Sequence, residues 1–510
     1  MSTQVAEEIQ FKPSVFERPW LALGASALSG LLLVASMPGF DVPLIGWVAL
    51  VPLLLALSEI PAAQAFRTAL PFGLVFSIGV HHWYPAIFPP ALGMVLIAAV
   101  GVYYAALIRW GVWLKHRLPS TLAWLALPVT WAAVEFLKYI TPVVADWWFV
   151  LLAASQWRSP AALQVLPLTG VFGLGFLVML VNQTIANALR AGANGAWRSL
   201  AARALLVFGI AATLWANAPG QAPNPAGFRI GVITDMVNQD PSVLAQGEFA
   251  GTMVTSDKVS EAIFAVDATL AREAAVHQPA FIVLPENEFA DADNPHFRAR
   301  LAELARETGA YVIADMLWQA PTGLHDTAVM VDPSGREVLR RAKINVTDGE
   351  TEAGIVAGPA SFSVVQTPFG NASVAVCWDV HRLWILRELA RAGARIVLLP
   401  MDNDFDGVPG FPPFHAADAV FRAAENRITI ALGTVNGLSM VIDPFGRIKT
   451  EGQINARGWN VGETFVANGT TPYTRHGDWF GWLMVVTLGS LIVVAASQRR
   501  RHVGTGYVRP

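Results

Sequence analysis

The residue with the most evident chemical potential is Cys377, the only cysteine among 510 residues. It ends a run in which Val374 and Val376 alternate with small residues, a pattern typical of a β-strand. A thiol placed where a strand turns toward a helix is a candidate nucleophile, because its thiolate attacks carbonyl carbons readily. The alternative is that Cys377 is a small buried apolar residue, as many lone cysteines are.

Two charged residues also stand at the ends of predicted strands. Glu286 follows the apolar run 280–284 and Pro285, so it would emerge at the carboxyl end of a strand, where open α/β sheets bind ligands. Lys343 ends the strand that begins after the turn Asp332-Pro-Ser-Gly335. A carboxylate can take the proton of a thiol, and an ammonium can stabilise an oxyanion. Each residue alone has a structural alternative, as a capping acid or as a surface base.

The composition indicates a membrane protein. The chain is 54% hydrophobic and only 14% charged, with a mean hydropathy of +0.45. Apolar runs fill residues 19–217 and 479–497, whereas 228–477 has the charge density of a soluble domain. The net charge of -3 shows no excess of basic residues, so we expect no nucleic-acid partner.

About eight apolar segments are long enough to cross ~30 Å of hydrocarbon. They lie at 19–37, 42–59, 69–88, 91–114, 121–140, 161–189, 199–217 and 479–497. Lys and Arg concentrate in the connections on one side, which places both termini in the cytoplasm and 228–477 outside it. The predicted parts are a cytoplasmic N-terminal segment (1–18), a transmembrane domain of about seven helices (19–217), a linker (218–227), an extracytoplasmic domain (228–477), a last transmembrane helix (478–497) and a basic cytoplasmic tail (498–510).

The extracytoplasmic domain reads as strands alternating with helices. Strands are predicted at 228–233, 280–284 and 310–314, and amphipathic helices at 260–276 and 297–308. This order is typical of α/β layers in which a sheet is buried against helices.

The order Glu286, Lys343, Cys377, each at the end of a predicted strand, resembles the Glu-Lys-Cys triad of the nitrilase superfamily. The flanking sequence is similar as well, in the Asp-Pro-x-Gly turn before the lysine and in Arg422-Ala-Ala-Glu-Asn-Arg427. Together with the membrane segments, residues 20–497 resemble the apolipoprotein N-acyltransferase family. The motifs that carry this second resemblance are Pro38-Gly-Phe-Asp41, Trp131-Ala-Ala-Val-Glu135, Ser155-Gln156, Gly170-Val-Phe-Gly-Leu-Gly-Phe176, Asn182 and Thr471-Pro-Tyr-Thr-Arg-His-Gly-Asp478.

The resemblance implies a polytopic helical membrane domain joined to a nitrilase-like α-β-β-α sandwich. It implies that Glu286 is the base, Lys343 the electrostatic partner and Cys377 the nucleophile, with Glu350 as a supporting acid. It also implies residues on the oxyanion or substrate side of the site, namely Trp378, Asp379, Asn403 and Asp404. No cofactor is implied.

The activity implied by the resemblance is an acyl transfer within lipoprotein maturation. A fatty acyl chain would pass from a phospholipid donor to Cys377 as a thioester, and then to the α-amine of the diacylglyceryl-modified cysteine that begins an apolipoprotein. The implied location is the bacterial inner membrane, with the catalytic domain in the periplasm and the substrates supplied by the lipid bilayer.

Two other functions are compatible with parts of the sequence. A membrane-anchored amidase or hydrolase of the nitrilase type would use the same triad with water, but a single anchor would serve it, whereas several spans suit a lipid-fed site. A lipid-binding or transport protein would not need the intact triad. A metal site is not predicted, since the calcium-loop-like run that starts at Asp402 has Pro413 where a bidentate glutamate belongs.

Overall fold

The computed structural model describes residues 18–58, 60–142, 150–191, 227–246, 257–287, 289–403 and 407–504. The predicted membrane segment 199–217, the linker up to residue 226, and Asp404 lie outside the described residues. So do residues 1–17 and 505–510 of the two predicted terminal segments.

In the described residues of the N-terminal part, every regular element is a helix. Its α-helices are Pro19–Ser36, Pro43–Gly46, Val51–Ala56, Ala62–His81, Tyr84–Ile87, Pro90–Lys115, Ser120–Ala123, Ala126–Ile140, Pro160–Leu163, Leu166–Thr169 and Val171–Ala191, and Leu152–Gln156 is a 3-10 helix. A last helix, Trp479–Gly504, ends the described chain. Within the described residues, five helices are long and apolar enough to cross a membrane: Pro19–Ser36, Ala62–His81, Pro90–Lys115, Val171–Arg190 and Trp479–Gln498.

Two of the predicted spans are shorter in the structure. The segment 121–140 contains the helix Ala126–Ile140, whose 15 residues extend only about 22 Å. The segment 42–59 is interrupted after Gly46 and resumes at Val51. The interruption is stabilised from far along the chain, because the Asn182 side chain donates to the Gly46 carbonyl at 2.9 Å and accepts from the Leu50 N–H at 2.8 Å. Buried backbone groups left unpaired by the break thus find partners.

In its described residues, the domain after residue 227 is built on one sheet of twelve strands. They are β1 Phe228–Thr234, β2 Phe281–Val283, β3 Tyr311–Ala320, β4 Gly323–Val331, β5 Glu337–Ala342, β6 Val365–Thr367, β7 Gly370–Val374, β8 Ile396–Met401, β9 Thr429–Thr434, β10 Met440–Ile442, β11 Ile448–Glu451 and β12 Gly458–Thr464. The main path runs β5-β4-β3-β2-β1-β9-β8-β7-β6, with β10 beside β9, β11 beside β10, and β12 beside β1. The helices of this domain are Pro241–Leu244, Asp257–Ala275, Pro295–Thr308, Asp348–Glu352, Leu383–Arg391, Pro412–Asn426 and Pro472–His476.

The sheet folds over so that its two halves face each other. Apolar residues of β1, β2 and β3 share a core with those of β7, β8 and β9. The opposite face of β1, β2 and β3 packs on the helices Asp257–Ala275 and Pro295–Thr308. The helices Leu383–Arg391 and Pro412–Asn426 cover the half of the sheet that contains β7, β8 and β9. This arrangement is the predicted α-β-β-α sandwich, and the predicted fold class is confirmed.

Polar contacts join the sandwich to the helical part. Glu425 accepts a hydrogen bond from the Val171 N–H at 2.9 Å, at the first residue of a long apolar helix. Arg158 binds Glu451 through two hydrogen bonds of 2.6 and 2.8 Å. A carboxylate at a helix N-terminus satisfies a backbone donor that has no partner within the helix.

Candidate active site

Glu286 and Lys343 meet at one end of the sandwich, each just after a strand. Glu286 follows β2 and Lys343 follows β5, and the Lys343 Nζ lies 2.6 Å from the Glu286 Oε1. The ammonium is also 3.0 Å from the Asp326 Oδ2 and donates to the Glu350 Oε1. All four side chains are buried. One cation is thus surrounded by three carboxylates away from water.

Glu350 is held by the start of the helix Asp348–Glu352. Thr347 is the N-cap of this helix, and its hydroxyl accepts from the Glu350 N–H at 3.3 Å. In return, the Glu350 Oε2 accepts from the Thr347 N–H at 2.6 Å. Such a capping box fixes the glutamate side chain. The other carboxylate oxygen is therefore directed at Lys343, as the predicted supporting acid would require.

Asp402, the residue after β8, contacts both Glu286 and the Cys377 thiol through its backbone. The Asp402 N–H donates to the Glu286 Oε2 at 2.6 Å. The Asp402 carbonyl lies 3.6 Å from the Cys377 Sγ. Burial, and after it the charge of the nearby Glu286 carboxylate, raise the pKa of the Cys377 thiol. The carboxylate and the thiol therefore contact the backbone of the same residue, which brings a candidate base and a candidate nucleophile together.

Cys377 occupies a tight turn after β7. It has a φ of 35°, in the left-handed region that non-glycine residues seldom adopt, and it begins the 3-10 helix Cys377–His381. Asp379 stabilises this turn, since its carboxylate accepts from the Val376 N–H at 3.3 Å. The same carboxylate accepts from the N–H groups of Ile344 and Asn345, which follow Lys343. Asp379 thereby ties the nucleophile turn to the segment that carries the lysine.

Burial and neighbouring charge shift the pKa values of the three groups. Burial raises the pKa of Glu286 well above its usual value, and the Lys343 ammonium offsets only part of this. Burial lowers the pKa of Lys343, but the charges of Glu286 and Asp326 outweigh it, so that this pKa lies well above its usual value. Burial and then the Glu286 charge raise the pKa of the Cys377 thiol. Lys343 therefore stays protonated, and the thiol needs a base to ionise.

The carboxylates of Glu286, Asp326 and Glu350 lie within 4.8 Å of one another, close enough to share a metal ion. However, the Lys343 ammonium contacts all three. A divalent cation among them would meet the repulsion of this buried positive charge. The donor set therefore suits an ammonium rather than a metal.

The remaining predicted site residues lie around the thiol with differing contacts. The Trp378 carbonyl accepts a hydrogen bond from the Asn345 side chain at 2.8 Å. The Trp378 indole stacks on the Phe411 ring. Asn403 is buried, and its amide donates to the Gly437 carbonyl at 2.8 Å. The side chains of Asp379 and Asn403 are thus engaged with the backbone.

Two residues at the site were missed by the sequence analysis. Asp326 lies inside β4, and the only signal for it is an acid within a largely apolar strand. His415 lies on the helix Pro412–Asn426, with its Nε2 4.0 Å from the Cys377 Sγ. Nothing in the local sequence of His415 indicates this position, because the packing of the whole helix produces it.

Two family descriptions match successive parts of the chain. Residues 29–184 match the apolipoprotein N-acyltransferase N-terminal domain, which corresponds to the apolar helices. Residues 249–464 match the carbon-nitrogen hydrolase family, which corresponds to the sandwich. An apolipoprotein N-acyltransferase of Geobacter metallireducens is 26% identical over 518 residues, covering 94% of this chain and 95% of that protein. The chain belongs to the apolipoprotein N-acyltransferase family.

Other members of the apolipoprotein N-acyltransferase family align over similar lengths. The protein of Gloeobacter violaceus is 27% identical, covering 85% of this chain and 86% of its own length. That of Thermotoga maritima is 22% identical, covering 96% and 97%. Among solved structures, an amidase from Nesterenkonia sp. is similar with 20% identity and a TM-score of 0.38, covering 50% of this chain and 95% of the amidase. The predicted family is confirmed.

Proposed function

We propose that the protein transfers a fatty acyl chain from a membrane phospholipid to the α-amino group of the diacylglyceryl-modified cysteine that begins an apolipoprotein. One observation carries the choice of a lipid substrate. Trp378, the residue after the nucleophile, packs in an apolar cluster with Trp83, Tyr84 and Ile97 of the helical part. The surface beside the thiol is therefore continuous with elements that a bilayer would surround.

In the first half-reaction, the Glu286 carboxylate takes the Cys377 proton as the sulfur attacks the ester carbonyl of the phospholipid. The C–S bond forms, and negative charge collects on the carbonyl oxygen. Lys343 and backbone N–H groups near Trp378 stabilise this oxyanion. The ester C–O bond then breaks, and Glu286 returns its proton to the leaving lysophospholipid oxygen. The products are an acyl-Cys377 thioester and a lysophospholipid.

In the second half-reaction, the neutral α-amine of the acceptor attacks the thioester. Glu286 accepts the proton that the nitrogen loses as the C–N bond forms. The C–S bond breaks, and the thiolate regains that proton from Glu286. Because the first product leaves before the acceptor binds, the kinetics follow a ping-pong scheme. We assign Asn403 and Asp404 to the substrate side of the active site, and Glu350 to supporting the Lys343 ammonium.

The test is the intact mass of the purified protein after incubation with phospholipid alone. Wild-type protein should gain the mass of one acyl chain, and hydroxylamine, which cleaves thioesters, should remove it. Cys377→Ala should gain nothing while inserting into membranes normally. An acyl adduct on Cys377→Ala, or no adduct on the wild type, would contradict the proposal.

We further propose a location in the bacterial inner membrane, with residues 228–477 in the periplasm. The support is the concentration of Lys and Arg in the connections on one side of the apolar segments. Tags at residues 1 and 510 should then be cytoplasmic, and a tag at residue 330 should be periplasmic. If protease added to spheroplasts spared the domain but digested it after lysis, this orientation would be wrong.

A further inference from the structure

His415 is the polar side chain of the helix Pro412–Asn426 that reaches the nucleophile. Its Nε2 is 4.0 Å from the Cys377 Sγ. The residue is 1% exposed, and its Nδ1 has no hydrogen-bond partner among the described residues. The sulfur is therefore the polar group to which the structure directs this imidazole.

Neighbouring rings fix the plane of the His415 imidazole. The His381 ring stacks on it, with centroids 4.5 Å apart and an angle of 27° between the planes. His381 is itself held by Asp418, whose Oδ2 is 2.7 Å from the His381 Nδ1. Trp378 and Phe411 contact the His415 ring at centroid distances of 5.4 and 5.3 Å. The ring cannot turn away from the sulfur without disturbing this packing.

The protonation of His415 follows from its surroundings. Burial lowers the pKa of His415 well below its usual value, and the charges of His381 and Lys343 add to this effect. The imidazole is therefore neutral and carries one N–H. On Nδ1 this hydrogen would be a buried donor without an acceptor among the described residues, which is unfavourable. On Nε2 it faces the sulfur.

The hydrogen of the thiol does not compete for this contact, since it is directed at the Asp402 carbonyl. We propose that His415 donates its Nε2–H to the Cys377 sulfur and stabilises the thiolate while Glu286 holds the proton. No proton leaves His415 in this step. The inference rests on the proposed function, because it adds a residue to the same reacting thiol. The other charged groups acting on the sulfur are Glu286, Lys343 and Glu350.

Two variants separate a hydrogen-bond donor from a packing element. His415→Phe keeps an aromatic ring against His381 but has no N–H. His415→Gln loses the ring but retains an amide donor. Because Cys377 is the only cysteine, the intact mass of the full-length protein reports its alkylation by iodoacetamide without ambiguity. The measurement is the alkylation rate against pH, beside the rate of acyl-enzyme formation from phospholipid.

If His415 donates a hydrogen bond to the sulfur, His415→Phe should raise the pH midpoint of the alkylation rate by about one unit or more. This is the shift that loss of a hydrogen bond to a charged group produces. In His415→Gln, the midpoint should move by no more than about a third of this shift. Acyl-enzyme formation should fall at least about tenfold in His415→Phe and less in His415→Gln. A midpoint unchanged from wild type in His415→Phe, or a larger shift in His415→Gln, would overturn the inference.

The outcome is separable from that of the proposed function. Wild-type protein that is alkylated but forms no acyl thioester contradicts the proposed function, while the two alkylation profiles still decide the role of His415. Wild-type protein that forms the thioester, together with a His415→Phe profile equal to its own, contradicts only the role of His415.

Discussion

The hydroxyl of Tyr139 bridges two backbone groups of the segment that follows Cys377. It donates to the His381 carbonyl at 2.8 Å and accepts from the Leu383 N–H at 2.6 Å. Tyr139 belongs to the helix Ala126–Ile140, far from this segment in sequence. The helical part therefore holds the turn that carries the nucleophile, in addition to supplying apolar helices.

Tyr139→Phe should slow the formation of the acyl-enzyme by about ten- to a hundredfold. The substitution removes the acceptor of the buried Leu383 N–H, at a cost of about 1–3 kcal/mol, and the hydrogen bond from Tyr139 to the His381 carbonyl, so the turn that carries Cys377 loses its support from the helical part. The time course of the intact mass with phospholipid measures this rate. Tyr103→Phe is the matched control, because the Tyr103 hydroxyl is buried and has no hydrogen-bond partner among the described residues. Equal rates for the two variants would argue against the positioning role of Tyr139.

Lys343→Met should lower the rate of acyl-enzyme formation by about 10²–10³-fold, as expected for loss of oxyanion stabilisation. It should also lower the free energy of unfolding by about 3–5 kcal/mol, since three buried carboxylates lose their cation. Adding Asp326→Asn should recover part of the stability but not the rate. Lys449→Met, on the exposed side of β11, should change neither quantity. A Lys343→Met protein with normal stability would show that the ammonium does not neutralise this cluster.

The rate of acyl-enzyme formation should rise with pH through the folded pKa of Glu286, which burial places well above its usual value of 4.5. The sign follows from the role of this residue, because only the ionised carboxylate can accept the thiol proton. Glu286→Gln should be slow at every pH and lose this rise. A pH–rate profile from single-turnover mass measurements gives both curves. The same rise in Glu286→Gln would assign it to another group.

Asp235→Asn should alter how stability depends on pH. Asn287, the neighbour of Glu286, donates to the Asp235 carboxylate at 2.5 Å, and Asp267 lies beside it. Burial raises the pKa of Asp235 from 3.8 to about 6, so the folded state holds this proton more tightly than the unfolded state. The resulting stability is present below pH 3.8 and is lost as pH rises through about 6.

Asparagine keeps an oxygen to accept from Asn287 but does not titrate. The melting temperature of the wild type should therefore fall relative to that of Asp235→Asn between about pH 4 and pH 7. Thermal melts of both proteins across this range, in the same detergent, make the comparison. Parallel curves would mean that Asp235 does not titrate in this range in the folded protein.

Sequence alone could place Glu286, Lys343 and Cys377 after strands because the signals are local: an apolar run before Glu286, an Asp-Pro turn ahead of the strand of Lys343, and alternating valines before Cys377. Their catalytic roles stay predictions. Asp326 could not be predicted, since it reaches Lys343 only through the pairing of β4 with β5. His415 likewise depends on how a whole helix packs on the sheet. The break in the segment 42–59 was missed for the same reason, because the stabilising Asn182 lies more than a hundred residues away. Local patterns thus identify elements and their ends, whereas contacts between distant segments complete the site.

The most direct test of acyl transfer supplies purified protein with phospholipid and a diacylglyceryl-cysteine peptide. Mass spectrometry of the peptide detects an amide-linked acyl chain, and free fatty acid is quantified in the same reaction. We expect acylated peptide to exceed free fatty acid, because apolar surroundings exclude water while both substrates arrive from the bilayer. Cys377→Ala should form neither product. Release of fatty acid without acylated peptide would contradict the account and indicate a hydrolase.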